Sequence, residues 1–474
     1  MDAPANAAIS QNPFLAHKPS DAQIEEVVEQ AYALIEDSLI YYQGKAVGCT
    51  AAVTDHVAAA NYTECFIRDF FPVALILLMD GKSEVVRNFL HTVARLSARE
   101  KQFKGHEITP GVMPASFSVR IDEAGAESLS PDYGDRAIGR VAPVDSMMWW
   151  AILLDLYVQY THDHGFTQRP SIQGALQHIL HLSLNTTFEV APTLLAPDGS
   201  FMIDRRMGVD GHPLEIQTLF YGMLCSAEKY LARTSHTAEV LLVAHQRRSA
   251  LLTYLRIFFW LDVRRLNEIH RYPTEELGSG SVNMLNIYPA SIPDWVEDWL
   301  PDYCGYFVGN LGPGRMDFRY FAQGNLLAIL FGVSTQDQTR DILNLYEKRW
   351  SDLVGVSPAK IVYPAVDGLA WELITGSDPK NVAWSYHNGG NWPVLLWPLV
   401  AAALEGGRED LAWSAFSLAC RRLQRDGWPE YYDGKTGRLI GRRSNFNQVW
   451  SAAAAILSHK MLVEERRIPF CLNV

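Results

Sequence analysis

The chain has 474 residues, 48% of them hydrophobic and 20% charged, and carries a net charge of −12. That is the composition of a soluble globular protein with material for a large core. The excess of acid excludes nucleic acid and anionic membrane as main partners, and the richest apolar run, Val73 to Met79, falls far short of the roughly 20 residues that span a bilayer.

Residues 1–20 lack both a basic n-region and a continuous apolar run, so they read as a flexible leader and not as a signal peptide. Ser20 and Gln23 form a capping box, and Ile24, Val27, Val28, Ala31, Leu34 and Ile35 follow helical spacing to about Gly44. A second helix runs through Phe70 to Met79 and stops at Asp80-Gly81; a third covers Ser83 to about Ala98. The stretch 103–143 is irregular and rich in Gly, Pro, Asp and Tyr. Helices are then expected from Val144-Asp145, over Ser171 to Leu184, from His212-Pro213 to about Ala232, and over 237–263. A long loop, 264–318, precedes helices near 319–332, 338–350, 364–375, 392–404, 408–424 and 446–463.

Strand patterns are scarce, and no Gly/Ser or charged linker divides residues 21–474, which read as a single domain. Short links alternate with long aromatic ones, and long loops in a compact domain tend to carry function. The expectation is an all-α fold: helix pairs arranged as an (α/α)6 barrel, a helical toroid with its long loops gathered at one end. An open helical solenoid is the alternative, and it calls for a sequence repeat that the chain lacks.

Six scattered cysteines without a CxxC pair suit a reducing compartment, the cytoplasm. There is no GxSxG, HExxH, P-loop or GxGxxG. His162 and His164 flank Asp163 at a helix end, where dipole complementarity explains them better than a metal. No cofactor and no metal is implied. What remains is carboxylates on loops, with aromatics at 11% and 13 Trp able to stack on sugar rings. This is the equipment of a glycosidase.

Five stretches carry that chemistry. Asp204 follows the turn Pro197-Asp198-Gly199-Ser200; its competing role is an ion pair with Arg205 or Arg206. Arg68 and Asp69 lie between aromatics in NYTECFIRDFF and suit a clamp on a polyol, against an ordinary ion pair at a helix start. Asp145 sits in a first helical turn, a placement that the helix dipole alone explains. Tyr386, His387 and Asn388 precede Gly389-Gly390, where the backbone can approach a ligand closely. Glu430 stands between Trp428-Pro429 and Tyr431-Tyr432, a setting that tunes a carboxylate for proton transfer; its competing role is to answer Arg442 or Arg443.

The stretches NYTECFIRDF, AIGRVAPVDSMMWW, DGSFMIDRRMGVDGHPLEIQ, YHNGGNWPVLLW and WPEYYDGKTGRLIGRRS, in that order, resemble the alkaline/neutral invertases of photosynthetic organisms. The likeness runs from about Asp21 to Glu464. It implies an (α/α)6 barrel that hydrolyses sucrose to glucose and fructose with inversion, and a homo-oligomer, a hexamer being one form. By resemblance Asp204 is the general acid and Glu430 the general base. Arg68, Asp69, Asp145, His212, Gln217, His387, Asn388, Arg443 and Gln448 are implied as sugar-binding positions. One departure is Asn391, where Ser is frequent in the motif; it bears on a subsite hydrogen bond. Hydrolysis of another α-glucoside such as trehalose, and sugar binding without catalysis, stay open as alternatives. Arg205 and Arg206 are expected to point away from Asp204, because a facing guanidinium lowers the pKa that a general acid needs raised.

Overall fold

Two kinds of helix alternate along the chain, and their sequences say why. In the computed structural model, residues 18–54, 61–98, 102–103, 106–134, 143–184, 192–196, 201–202, 207–209, 211–271, 287, 289–312, 315–439 and 444–470 are described. Twelve helices there set the architecture, beginning with α1 (Asp21–Ser38), α2 (Ile67–Met79), α3 (Ser83–Leu96), α4 (Ser146–Thr161), α5 (Pro170–Ser183) and α6 (Leu214–Tyr230). They continue with α7 (Ala238–Tyr254), α8 (Ala322–Leu330), α9 (Gln336–Lys348), α10 (Leu396–Glu405), α11 (Glu409–Cys420) and α12 (Val449–Leu462). The even-numbered helices are apolar on nearly every side. Every residue of α2 from Phe70 to Met79 is buried, and so is every residue of α4 from Ser146 to Val158. A helix hydrophobic all round belongs inside. The odd-numbered helices carry one apolar stripe, as in α1 with Ile24, Val27, Ala31 and Ile35, and lie outside.

The inner helices pack in sequence: α2 on α4, α4 on α6, α6 on α8, α8 on α10, α10 on α12, and α12 back on α2. Outside them, α1 packs on α12, α3 on α2 and α4, α5 and α7 on α6, and α11 on α10 and α12. At the C-terminal ends of the inner helices, polar side chains tie neighbours together. Asp155 of α4 accepts from Tyr230 Oη (2.6 Å) and Lys229 Nζ (2.8 Å) of α6. Lys460 of α12 bonds Asp80 at the end of α2, and Arg256 caps the carbonyls of Gly332 and Val333 just past α8. Each buried charge is thereby paired, as burial in low dielectric requires. The other ends of these helices are left free for a different use.

The helix-rich reading needs one amendment: small antiparallel sheets occupy stretches expected to be loops. β1 (Leu39–Tyr42) and β2 (Lys45–Cys49) form a hairpin directly after α1, which therefore ends at Ser38 instead of near Gly44. β3 (Ser116–Ile121) and β4 (Glu127–Asp132) pair within the stretch 103–143. β5 (Gly305–Gly312) and β6 (Arg315–Phe321) pair within and just beyond the stretch 264–318, flanked by strands Trp260–Asp262 and Val362–Tyr363. The expected helix 237–263 breaks accordingly: α7 ends at Tyr254, a π-turn spans Leu255–Phe259, and the chain then extends so that Trp260 pairs with Phe307. The helix expected from 319 begins at Ala322, because Tyr320 and Phe321 pair with Tyr363 and Val362. Aromatic and β-branched residues favour a pleated, half-buried surface, and here tertiary pairing overrides the helical pattern.

Candidate active site

The N-terminal ends of the inner helices supply one hollow, of about 900 Å³ counted to its open mouth. Arg68 and Asp69 come from the first turn of α2, Asp145 and Ser146 from the start of α4, Trp392 from just before α10, and Gln448 and Trp450 from the start of α12. Phe201 and Met202 line it from the segment leading to α6, and Tyr386, His387 and Glu430 from the loops before and after α10–α11. Helix N-termini carry partial positive charge and favour carboxylates, which suits a wall with three of them.

Two of those carboxylates, Asp145 and Asp69, flank the Arg68 guanidinium. Arg68 Nη1 donates to Asp145 Oδ2 at 2.9 Å, and Arg68 Nε stands 3.6 Å from Asp69 Oδ1, too far for a hydrogen bond. Asp145 therefore does not cap its own helix; its carboxylate turns to Arg68 instead. Burial raises Asp69 to about 6; Arg68 opposes the shift, and the charges of Asp145 and Glu430 add to it. Glu430 is 3% exposed. Its Oε1 accepts from Tyr62 Oη at 2.8 Å, its Oε2 faces the Asn445 N–H at 3.4 Å, and its own N–H donates to the Asn445 carbonyl. Burial and the Glu430 charge hold the Tyr62 phenol well above its usual range, so it stays a donor.

Behind the acids stands an aromatic wall. Trp392 stacks on Tyr431 (centroids 5.8 Å apart) and on His387 (5.1 Å), and meets Trp450 edge-on. The loops carrying His387 and Glu430 touch through glycine. A Cβ on Gly434 would lie 1.7 Å from the Gly389 carbonyl oxygen, so only glycine permits this approach. Among the described residues, several buried polar atoms of the wall make no hydrogen bond: Arg68 Nε, Asp69 Oδ1, Gln448 Nε2 and Trp450 Nε1. Buried donors and acceptors are normally satisfied, and a cluster facing one hollow is what a polyhydroxylated ligand would complete.

The sequence-derived candidates divide. Arg68, Asp69, Asp145, His387, Gln448 and Glu430 line the hollow. Asn388 and Gln217 do not: both are fully buried, with their amides spent on backbone. Asn388 accepts from Val366 N–H and donates to the carbonyls of Val366 and Asn381, and Gln217 exchanges two bonds with Leu194. His212 is also off the wall; its N–H donates to Asn310 Oδ1, and burial lowers its pKa. Asn391, the departure from the motif, ties loops together by donating to the carbonyls of Val354 and Ser357. Asp204, with Arg205, Arg206 and Arg443, lies outside the described residues, as do the turn 197–200 and the leader up to residue 17. Tyr62 and the aromatic wall carry no local sequence pattern that separates them from core, so neither stands out among the sequence-derived candidates.

An aromatic-backed hollow with an oriented carboxylate suits the chemistry of glycoside hydrolysis, and the fold is shared with solved structures. The chain superimposes on a solved structure titled "Glycosidase Wild Type" with a TM-score of 0.56 at 14% identity, over 93% of this chain and 97% of that one. A GH63 mannosylglycerate hydrolase from Thermus thermophilus gives 0.54 at 10% identity, over 91% and 99%. Residues 31–465 match the family of alkaline and neutral invertases, and the chain belongs to that family. It is 46% identical over 439 residues to the probable alkaline/neutral invertase F of Arabidopsis thaliana, covering 92% of this chain and 88% of that one. It is equally close to cytosolic invertase 1 of Oryza sativa subsp. japonica (93% and 78% covered) and to the mitochondrial neutral/alkaline invertase 1 of the same plant (92% and 70%).

Proposed function

We propose that this enzyme hydrolyses sucrose to glucose and fructose with inversion, with Asp204 as general acid and Glu430 as general base. The observation that carries the reading is Glu430, fixed by Tyr62 and Asn445 on the wall of an open, aromatic-lined hollow. A water held by Glu430 attacks the anomeric carbon of glucose and gives up its proton to that carboxylate. The bond from that carbon to the bridging oxygen breaks, and Asp204 protonates the departing fructose oxygen. Arg68, Asp69, Asp145, His387 and Gln448 hold the glucose hydroxyls, and Trp392 and Trp450 close its apolar side. Tyr62 keeps Glu430 aimed. Asp204 and Glu430 are expected roughly 6.5–9.5 Å apart, the spacing that admits a water.

The architecture we assign is an (α/α)6 toroid. The cyclic packing of α2, α4, α6, α8, α10 and α12, with an outer helix after or before each, supports it. We further propose a cytoplasmic homo-oligomer. The five described cysteines are free and buried, and Leu369 and Leu373 on helix Gly368–Thr375 are 68% and 75% exposed, an apolar pair that a second copy would cover.

Side-by-side incubation with sucrose, trehalose, maltose and raffinose tests the substrate. Sucrose alone should be cut rapidly, and Asp204→Asn should lower that rate by about 10²–10⁴-fold with the fold intact. Preferred cleavage of trehalose, or a fully active Asp204→Asn enzyme, would overturn the reading.

A further inference from the structure

Glu215 is a carboxyl that the mechanism above leaves unused. It lies in the first turn of α6 and is 4% exposed. It does not cap its own helix. Its Oε1 accepts from the backbone N–H of Met202 at 3.3 Å, and its Oε2 is buried without a hydrogen bond among the described residues. Behind it α8 closes in: a Cβ on Gly324 would lie 3.0 Å from the Glu215 backbone nitrogen. Among the described residues, the charged groups that bear on it are Asp145, at the start of α4, and Arg68, on α2. Glu215 thus stands behind the Arg68–Asp145 pair and grips a residue of the hollow's wall.

We propose that Glu215 is a positioning residue that works as a neutral carboxylic acid, anchoring Met202 and leaving Arg68 to Asp145, and that loss of its proton closes the alkaline side of the activity profile. Met202 precedes Asp204 by two residues, so its anchor sets where the acid-bearing stretch departs. With its proton on, Glu215 adds no charge beside Arg68, which Asp69 and Asp145 already flank. With its proton off, it competes with Asp145 for Arg68 and repels Asp145 at close quarters. Burial, and next the charge of Asp145, push Glu215 up to about 8 against the pull of Arg68 and the Met202 N–H. The neutral form therefore prevails at neutral pH, and ionisation falls on the alkaline side.

This inference rests on the proposed roles of Asp204 and Glu430, and two measurements separate its failure from theirs. In the first, kcat and KM for sucrose are followed against pH. Glu215→Gln preserves an acceptor and a donor without titrating. It should keep kcat at neutral pH within about threefold while the alkaline limb moves up by roughly a pH unit or more. Glu215→Ala should lose kcat tenfold or more with a smaller change in KM. An unchanged alkaline limb in Glu215→Gln, or a loss equal to that of Glu215→Ala, overturns the proposal. The second measurement uses the unaltered protein: an infrared pH titration should show a carboxylic-acid C=O band that persists above pH 7 and disappears with a midpoint near 8. Absence of such a band overturns the proposal whatever the variants do, and the band is readable even if sucrose is not the substrate.

Discussion

Tyr62→Phe removes one oxygen and leaves the ring. The lost contact is the 2.8 Å bond to Glu430 Oε1. Among the described residues the carboxylate then keeps only the Asn445 N–H at 3.4 Å, a weak and long partner. Hydrogen bonds to charged groups contribute about 1.5–3 kcal/mol. If this one holds Glu430 in the orientation that directs water, the loss falls on the transition state. At about 1.4 kcal/mol per decade, kcat should drop roughly 10- to 150-fold. The sugar contacts proposed for Arg68, Asp69 and Gln448 are untouched, so KM should stay within about threefold. The assay is initial-rate glucose release from sucrose at saturating and limiting substrate, with thermal melting as a control on the fold. A kcat within twofold of the parent, or a loss confined to KM, would refute the positioning role of Tyr62.

Asp69 makes stability depend on pH. Its folded pKa is raised from 3.8 to about 6, so the folded state binds its proton more tightly than the unfolded chain does. Stability should therefore fall as pH rises from about 4 to 6, by about 3 kcal/mol from this group; Asp69→Asn should flatten that slope in urea melts at pH 4, 5 and 6. Gly434→Ala drives a methyl into the Gly389 carbonyl and should destabilise by about 1–3 kcal/mol, lowering both the unfolding midpoint and kcat because it parts the loops of His387 and Glu430. Leu373→Glu places a charge on the exposed apolar helix; light scattering should report a smaller particle than the parent's, and an unchanged mass would remove this face from the oligomer contact.

Helical periodicity made the long helices legible, since an apolar stripe or an apolar cylinder repeats every turn. It failed at β5 and β6 and at residues 255–262, where cross-strand partners such as Phe307 for Trp260 and Val362 for Phe321 lie far away in sequence. The site was legible as residue types on loops: Arg68, Asp69, Asp145, His387, Gln448 and Glu430 stand on one wall. What the sequence did not distinguish is a polar side chain that meets a ligand from one that ties loops together. Gln217 finds Leu194 and Asn388 finds Val366, more than twenty residues away each. Tyr62 finds Glu430 across most of the chain. Glu215 reads as a favourable first-turn acid until its surroundings are seen; it is buried, with one oxygen on Met202 and the other unpartnered.

The most direct test is the anomeric form of the first glucose released, followed by proton NMR before mutarotation. A base that delivers water to the face opposite the departing fructose yields β-glucose from the α-linked disaccharide. Release of α-glucose first would mean that Glu430 does not act as proposed.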